Sequence, residues 1–128
     1  MTLARTWSVG IAGVQGAMVE VEVDLATGLP GVVLVGLPDA VVRQSVDRVR
    51  AAVANAGASF PQRRITIGLS PASMPKQGSG FDLALAAAVL AAEGVVPADA
   101  LAGRVLLGEL GLDGHVRAVR GVLPAAFL

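Results

Sequence analysis

The sequence predicts a single α/β domain of the mixed α+β type, and three patterns support this. Residues 19–25 (VEVEVDL) alternate apolar and acidic side chains, the period of a strand with one buried face. From residue 39 to 57 valines recur at spacings of three and four, as in an amphipathic helix. The dipeptide Asp113-Gly114 between two apolar runs is typical of a hairpin. At 128 residues the chain has the usual length of one domain.

The chain is predicted to open with three strands. Residues 6–13 form a partner for strand 19–25, with a glycine-containing turn between them. The loop TGLPG then leads to a β-branched strand at residues 32–37. A helix follows, with Asp39 as its N-cap and Gly57 just after its end. Its apolar face consists of Val42, Val46, Val49 and Val53.

The second half is predicted to contain a strand at residues 63–70, a loop rich in Pro, Gly and Ser, and a helix at residues 83–92. That helix is apolar on every side, which predicts burial in the interior. Strands at 104–112 and 115–121 then form a hairpin through a two-residue type I′ turn, and Pro124 begins a last helix. The predicted order is β-β-β-α-β-α-β-β, followed by the start of a helix that indicates a fragment of a longer protein.

Composition excludes several classes of function. Ten basic residues balance ten acidic ones, so a strongly basic nucleic-acid-binding surface is not expected. The absence of cysteine excludes disulfides and thiolate metal sites. The longest uncharged runs are broken by Gly and Pro or are too short to span a bilayer. We therefore expect a cytoplasmic protein without a membrane partner or a metal site.

The stretch PKQGSGFDLALA contains the candidate catalytic residues, Lys76 and Ser79. Its lysine precedes the glycines, so it does not match a phosphate-binding P-loop. A serine nucleophile would need a nearby base, for which Lys76 and His115 are the candidates. The pattern from Ser79 to Asp82 also fits a helix capping box, and this structural interpretation is favoured.

Two pairs of arginines are candidate contacts for nucleic acid or for a partner: Arg63 with Arg64, and Arg117 with Arg120. Aromatic residues that would stack on bases are few and scattered. Solvated charge is therefore the favoured interpretation of both pairs, and composition and motifs alone indicate an α/β domain without an assigned chemistry.

Three segments, residues 28–57, 61–90 and 106–126, resemble in order and spacing the N-terminal domain of the YifB/ComM family of magnesium-chelatase-like AAA+ ATPases. The most specific parts are VGLPDAVVRQSVDRVRAA and GELGLDGHVRAVRGVLP. The resemblance implies a fold similar to the Lon proteolytic domain and to domain two of ribosomal small-subunit protein five. It also implies an AAA+ module downstream, which would bind ATP and Mg²⁺ and form a hexamer.

The resemblance to Lon also bears on catalysis. Aligned on the Lon pattern, the nucleophile falls at Gly80, one residue beyond Ser79, and the partner lysine falls at Leu123. Because leucine cannot take the proton of a serine, the resemblance implies a domain without proteolytic activity.

The function expected from this resemblance is assistance to hexamer assembly and DNA handling in a competence- or recombination-type branch-migration helicase. Two alternatives stay open from the sequence. One is a diverged serine peptidase that uses Ser79, and the other is a chelatase-like ATPase that remodels a protein or inserts a metal.

Overall fold

The computed structural model describes residues 2–12 and 15–117. In chain order the elements are β1 (Thr2–Ala12), β2 (Gln15–Ala26), β3 (Gly31–Val35), α1 (Ala40–Arg43), α2 (Ser45–Asn55), β4 (Arg64–Ser70), α3 (Asp82–Ala92), a 3-10 turn (Ala98–Leu101), β5 (Glu109–Leu110) and β6 (Val116–Arg117). The mixed α/β class predicted from the sequence is confirmed. Among the described residues, no helix combines the length and the apolar character needed to cross a bilayer.

Four strands form one mixed sheet in the order β1-β2-β4-β3. β1 and β4 both run antiparallel to β2, whereas β3 runs parallel to β4. A parallel pair needs a crossover connection, and α1 and α2 supply it. β3 is thus an edge strand, and no described strand pairs with its outer edge.

One face of the sheet carries the core. The alternation of β2 places Val19, Val21, Val23 and Leu25 on this face, and each is almost completely buried. Their neighbours on β4 are Ile65, Ile67 and Leu69, and α3 packs across β1 and β2. The predicted interior position of the apolar helix is confirmed, because α3 buries side chains such as Leu85 and Val89 on several sides.

The prediction of one continuous helix over residues 39–57 is wrong in one respect. The helix is interrupted at Gln44, which separates α1 from α2. After the interruption Ser45 is completely buried, whereas Val46, predicted in the apolar face, is only half-buried. The spacing of the valines does not predict this change. A serine can be buried only where it has a polar partner, and that partner lies elsewhere in the chain.

Both predicted ends of this helical region are confirmed. Asp39 Oδ1 accepts a hydrogen bond of 2.7 Å from the backbone N–H of Val42, as an N-cap should. At the other end Gly57 has a φ of +90°, and the N–H of Ala58 donates to the carbonyl of Val53. This is the hydrogen-bond pattern of a Schellman motif, in which glycine is preferred.

The hairpin near residue 113 is confirmed, but its turn differs from the prediction, and of the strand predicted at 104–112 only Glu109–Leu110 pairs in the hairpin. Gly111 N–H donates to the His115 carbonyl, and Gly114 N–H donates to the Gly111 carbonyl. The loop therefore has three residues, 112–114, of which only Gly114 has a positive φ. A type I′ turn needs positive φ at both central residues, and Asp113 does not adopt it. The strand predicted at 115–121 is described only as far as Arg117, and Pro124 lies outside the described residues.

Candidate functional site

Ser79 does not cap α3, so the capping-box prediction is wrong. The helix begins at Asp82, and the residue at its N-cap position, Phe81, makes no side-chain cap. The backbone carbonyl of Ser79 accepts from Asp82 N–H at 3.2 Å, but the Ser79 hydroxyl bonds to none of the described residues. The reason lies in Asp82, whose carboxylate is held by other partners and does not reach back to Ser79.

Lys76 is completely buried, and its Nζ donates a hydrogen bond to the carbonyl of Pro71. Its backbone is held as well, because Lys76 N–H donates to Leu37 and its carbonyl accepts from Asp39, each at 2.9 Å. The structure therefore does not join Lys76 and Ser79 by a hydrogen bond. Through these hydrogen bonds Lys76 holds the loop that precedes α3.

Hydrogen bonds to two other parts of the chain hold the loop between Lys76 and α3. Asp39 Oδ2 accepts from Gly78 N–H at 3.2 Å, so the cap of α1 also holds this loop. On the other side Gly108 N–H donates to the carbonyl of Gly80 at 3.0 Å. Gly80, where the Lon pattern places its nucleophile, is thus a backbone anchor for the segment that leads into β5.

The burial of Lys76 leads to a prediction about pH. Burial lowers the pKa of Lys76 in the folded state, whereas an unfolded chain titrates its lysine near about 10.4. Between these two values the unfolded state binds more protons, so the free energy of unfolding rises with pH. Above about 10.4 both states are neutral at this position and the rise ends.

This dependence can be measured cleanly because the chain has one lysine and no tyrosine or cysteine. We expect chemical denaturation of the wild type to show stability that increases as the pH approaches about 10.4 and levels off above it, since arginine stays charged in this range and the terminal amine is already neutral. Lys76→Met should show no such rise. Parallel pH curves for the two proteins would contradict the burial of a titrating Lys76.

The amino-acid sequence alone does not predict the buried network around Asp82. Asp82 is completely buried, and its carboxylate accepts from Ser45 Oγ, from Arg48 Nε at 2.7 Å, from Arg48 Nη2 at 3.0 Å and from Leu110 N–H at 3.1 Å. The hydrogen bond from Arg48 to Asp82 raises the pKa of Arg48. A single aspartate at the start of an otherwise apolar helix is the signal that could have indicated such a network.

The Asp82 network lies beside a cleft of about 490 Å³ at the hairpin. The cleft is lined by Arg48, Glu109, Leu110, Gly111, Leu112, Asp113 and Arg117. Its charges are of both signs, and Arg48 is already bonded to Asp82. Beside the hairpin loop, His115 is exposed, and its hydrogen bonds lower the pKa of Asp113.

The three described members of the arginine pairs, Arg63, Arg64 and Arg117, do not line one common cleft. Arg63 lines a second cleft, of about 150 Å³, which also contains Arg50. Arg64 starts β4 opposite Ala26 and lies outside the lining of that cleft. Arg117 lines the hairpin cleft instead. Arg120, like Leu123, lies outside the described residues.

Comparison with known proteins places the chain in a family. The family model described as subunit ChlI of Mg-chelatase matches residues 21–128. This chain belongs to the ChlI family. Among its relatives, an uncharacterized protein of Mycobacterium tuberculosis is 58% identical over 125 residues, 98% of this chain. The competence protein ComM of Haemophilus influenzae is 45% identical over 125 residues, and YifB of Salmonella typhimurium is 42% identical over 126, each again 98% of this chain.

The alignments also show how much of each relative this ChlI-family chain spans. It covers 25% of the length of each of these three relatives. The resemblance to the N-terminal domain of the YifB/ComM family is confirmed. Within residues 2–12 and 15–117, no group of three or more His, Asp or Glu side chains is arranged to hold a metal ion.

Proposed function

We propose that this chain is a non-proteolytic, Lon-like N-terminal domain of a cytoplasmic magnesium-chelatase-like AAA+ ATPase that acts as a branch-migration helicase. Its role is to help the hexamer assemble and handle DNA, while ATP and Mg²⁺ bind to the module that follows. One observation carries the proposal: nearly the whole chain aligns at 45% identity with a protein named for competence, of which it covers a quarter.

The environment of Lys76 supports the absence of proteolysis. A lysine that activates a serine must accept its proton, so its amine has to face the hydroxyl. Here the amine is buried against the Pro71 carbonyl. Gly80 offers no side chain, and its carbonyl is bonded to Gly108. Ser79 is therefore left without a base among the described residues.

The edge of the sheet supports a role in assembly. Residues 25–38 contain no charge, and β3 lies within them as the edge strand. Val33, Val35 and Leu37 are 45%, 48% and 53% exposed. Exposed edges are usually protected by charges, prolines or bulges, because their free backbone groups pair readily with another chain. In our proposal a neighbouring subunit of the ring covers this edge.

The proposal is tested with the full-length protein that carries this domain. We expect removal of residues 1–128 to reduce both hexamer formation, measured by analytical ultracentrifugation, and ATP-driven branch migration of a synthetic four-way junction. Val33→Lys should reduce assembly in the same direction, because it places a charge beside the uncovered edge.

Val95→Lys is the matched control for Val33→Lys. Val95 is 60% exposed and follows α3, which packs on β1 and β2. Unchanged hexamers and unchanged branch migration after removal of residues 1–128 would refute the proposed role. Equal effects of the two lysine variants would refute the assignment of assembly to the β3 edge.

A further inference from the structure

The cleft of about 150 Å³ that Arg63 lines lies where β3 and β4 begin, and we call it the β3–β4 cleft. It is lined by Pro30, Gly31, Val32, Arg50, Phe60, Pro61, Gln62, Arg63 and Ile65. At about 150 Å³ it is smaller than the ~300–1,000 Å³ of pockets for drug-sized ligands. It therefore suits one small group, such as a single ring system.

The charged side chains that line the β3–β4 cleft are all basic. Arg50 and Arg63 line it, and none of its lining residues is acidic. The nearest acid to Arg50 is Asp47, whose Oδ1 lies 3.8 Å from Arg50 Nη1. Asp47 is 82% exposed, so water screens this pair and leaves it weak. The cleft therefore favours an anion.

The guanidinium of Arg50, whose side chain is 52% exposed, lies over an aromatic ring. Its Cζ lies 5.0 Å from the centre of the Phe60 ring, the distance of a cation–π contact. Phe60 is itself half-buried and packs against the core. A guanidinium placed in this way loses less side-chain entropy when it binds a phosphate than a free one does.

We propose that the β3–β4 cleft binds one nucleotide unit of single-stranded DNA. The base enters the cleft against the apolar walls formed by Pro30, Phe60 and Pro61, and the phosphate lies outside it on the exposed side chains of Arg50 and Arg63. The Gln62 amide supplies a donor and an acceptor at the rim. Single-strand-binding proteins combine cations for the backbone with flat apolar surfaces for the base in the same way. This inference rests on the proposed DNA-handling role and names the part of the surface that performs it.

The test measures binding of a fluorescent oligothymidylate to the 128-residue chain by anisotropy. An oligonucleotide of about 12 nucleotides falls within the site sizes of single-strand-binding modules. Each phosphate contact contributes about 0.7 to the slope of log affinity against log salt. We expect Arg63→Gln to weaken binding and to lower the magnitude of this slope by about 0.7 between about 50 and 200 mM salt.

Arg104→Gln is the control with the same change of charge. Arg104 precedes Val105, which pairs with Trp7 of β1, so it lies at the opposite edge of the sheet from β3. We expect Arg104→Gln to leave the slope unchanged. Asp47→Asn should tighten binding by up to about 5-fold, because it removes the acid beside Arg50.

Phe60→Leu tests the aromatic wall while keeping an apolar side chain. Loss of a base-stacking aromatic should weaken binding about 5-fold or more. Equal binding of an abasic oligomer would overturn the placement of a base in the cleft. Equal effects of Arg63→Gln and Arg104→Gln, or no binding at low salt, would overturn the site. The proposed function fails separately, by unchanged assembly and branch migration when residues 1–128 are removed.

Discussion

Asp82→Ala should lower the free energy of unfolding by about 3 to 5 kcal/mol, the usual cost of removing one partner from a buried ion pair. The carboxylate is completely buried and bonded to Ser45, Arg48 and Leu110. Its removal leaves the mostly buried Arg48 guanidinium without its counter-ion and the Leu110 N–H without an acceptor. Ser45 and Arg48 lie on α2, Asp82 lies at the start of α3, and Leu110 lies on β5. The loss therefore affects the packing of three elements at once.

Urea denaturation of Asp82→Ala beside Asp47→Ala measures this effect. Asp47 is 82% exposed and its ion pair with Arg50 is 3.8 Å long, so its removal should cost less than about 1 kcal/mol. The double variant with Arg48→Met should lose less than the sum of the two single variants, since the charges compensate one another. Similar losses for Asp82→Ala and Asp47→Ala would show that the network does not stabilise the fold.

Gly36→Ala should destabilise the protein by about 2 to 5 kcal/mol, adding the cost of a left-handed backbone to that of steric overlap. Gly36 has a φ of +110°, which non-glycine residues avoid. A Cβ added at this position would lie 2.1 Å from the carbonyl oxygen of Leu69. That oxygen belongs to β4, so either β3 or β4 would have to move.

Variants of two other glycines separate the backbone cost at Gly36 from the steric cost. Gly31 belongs to β3 and has open space at its Cβ position without a positive φ, so Gly31→Ala should change stability little. Gly57 has a φ of +90° but also has open space, so Gly57→Ala should show the backbone cost alone. The thermal midpoints of the three variants give the comparison. A loss in Gly36→Ala no larger than in Gly57→Ala would contradict the steric clash.

Several features of the fold could be predicted because the interactions behind them are local. The alternation of residues 19–25 identifies β2, since successive side chains of a strand point to opposite faces. Asp39 and Gly57 were identified as cap residues because each cap joins groups within a few residues of one another. The interior position of α3 followed from its composition alone.

The candidate site was predicted less well, because its contacts join distant parts of the chain. Ser45 and Asp82 are 37 residues apart, and Arg48 and Asp82 are 34 residues apart. The local pattern from Ser79 to Asp82 suggested a capping box, but these distant partners hold the carboxylate more strongly. The pairing of Arg50 with Phe60 beside Arg63 likewise depends on the contact between α2 and the loop that precedes β4.

The sequence by itself determined the mixed α/β class, the strand period, the caps at Asp39 and Gly57 and the family resemblance, because short-range periodicity and specific motifs encode them. Only the tertiary structure decided that Lys76 is buried against Pro71 and that Asp82 binds Arg48. It also decided that Arg63 lines a cleft together with Arg50, whereas the adjacent Arg64 does not line that cleft. The physical reason is that a polar side chain takes its role from the partners that folding brings within hydrogen-bond distance.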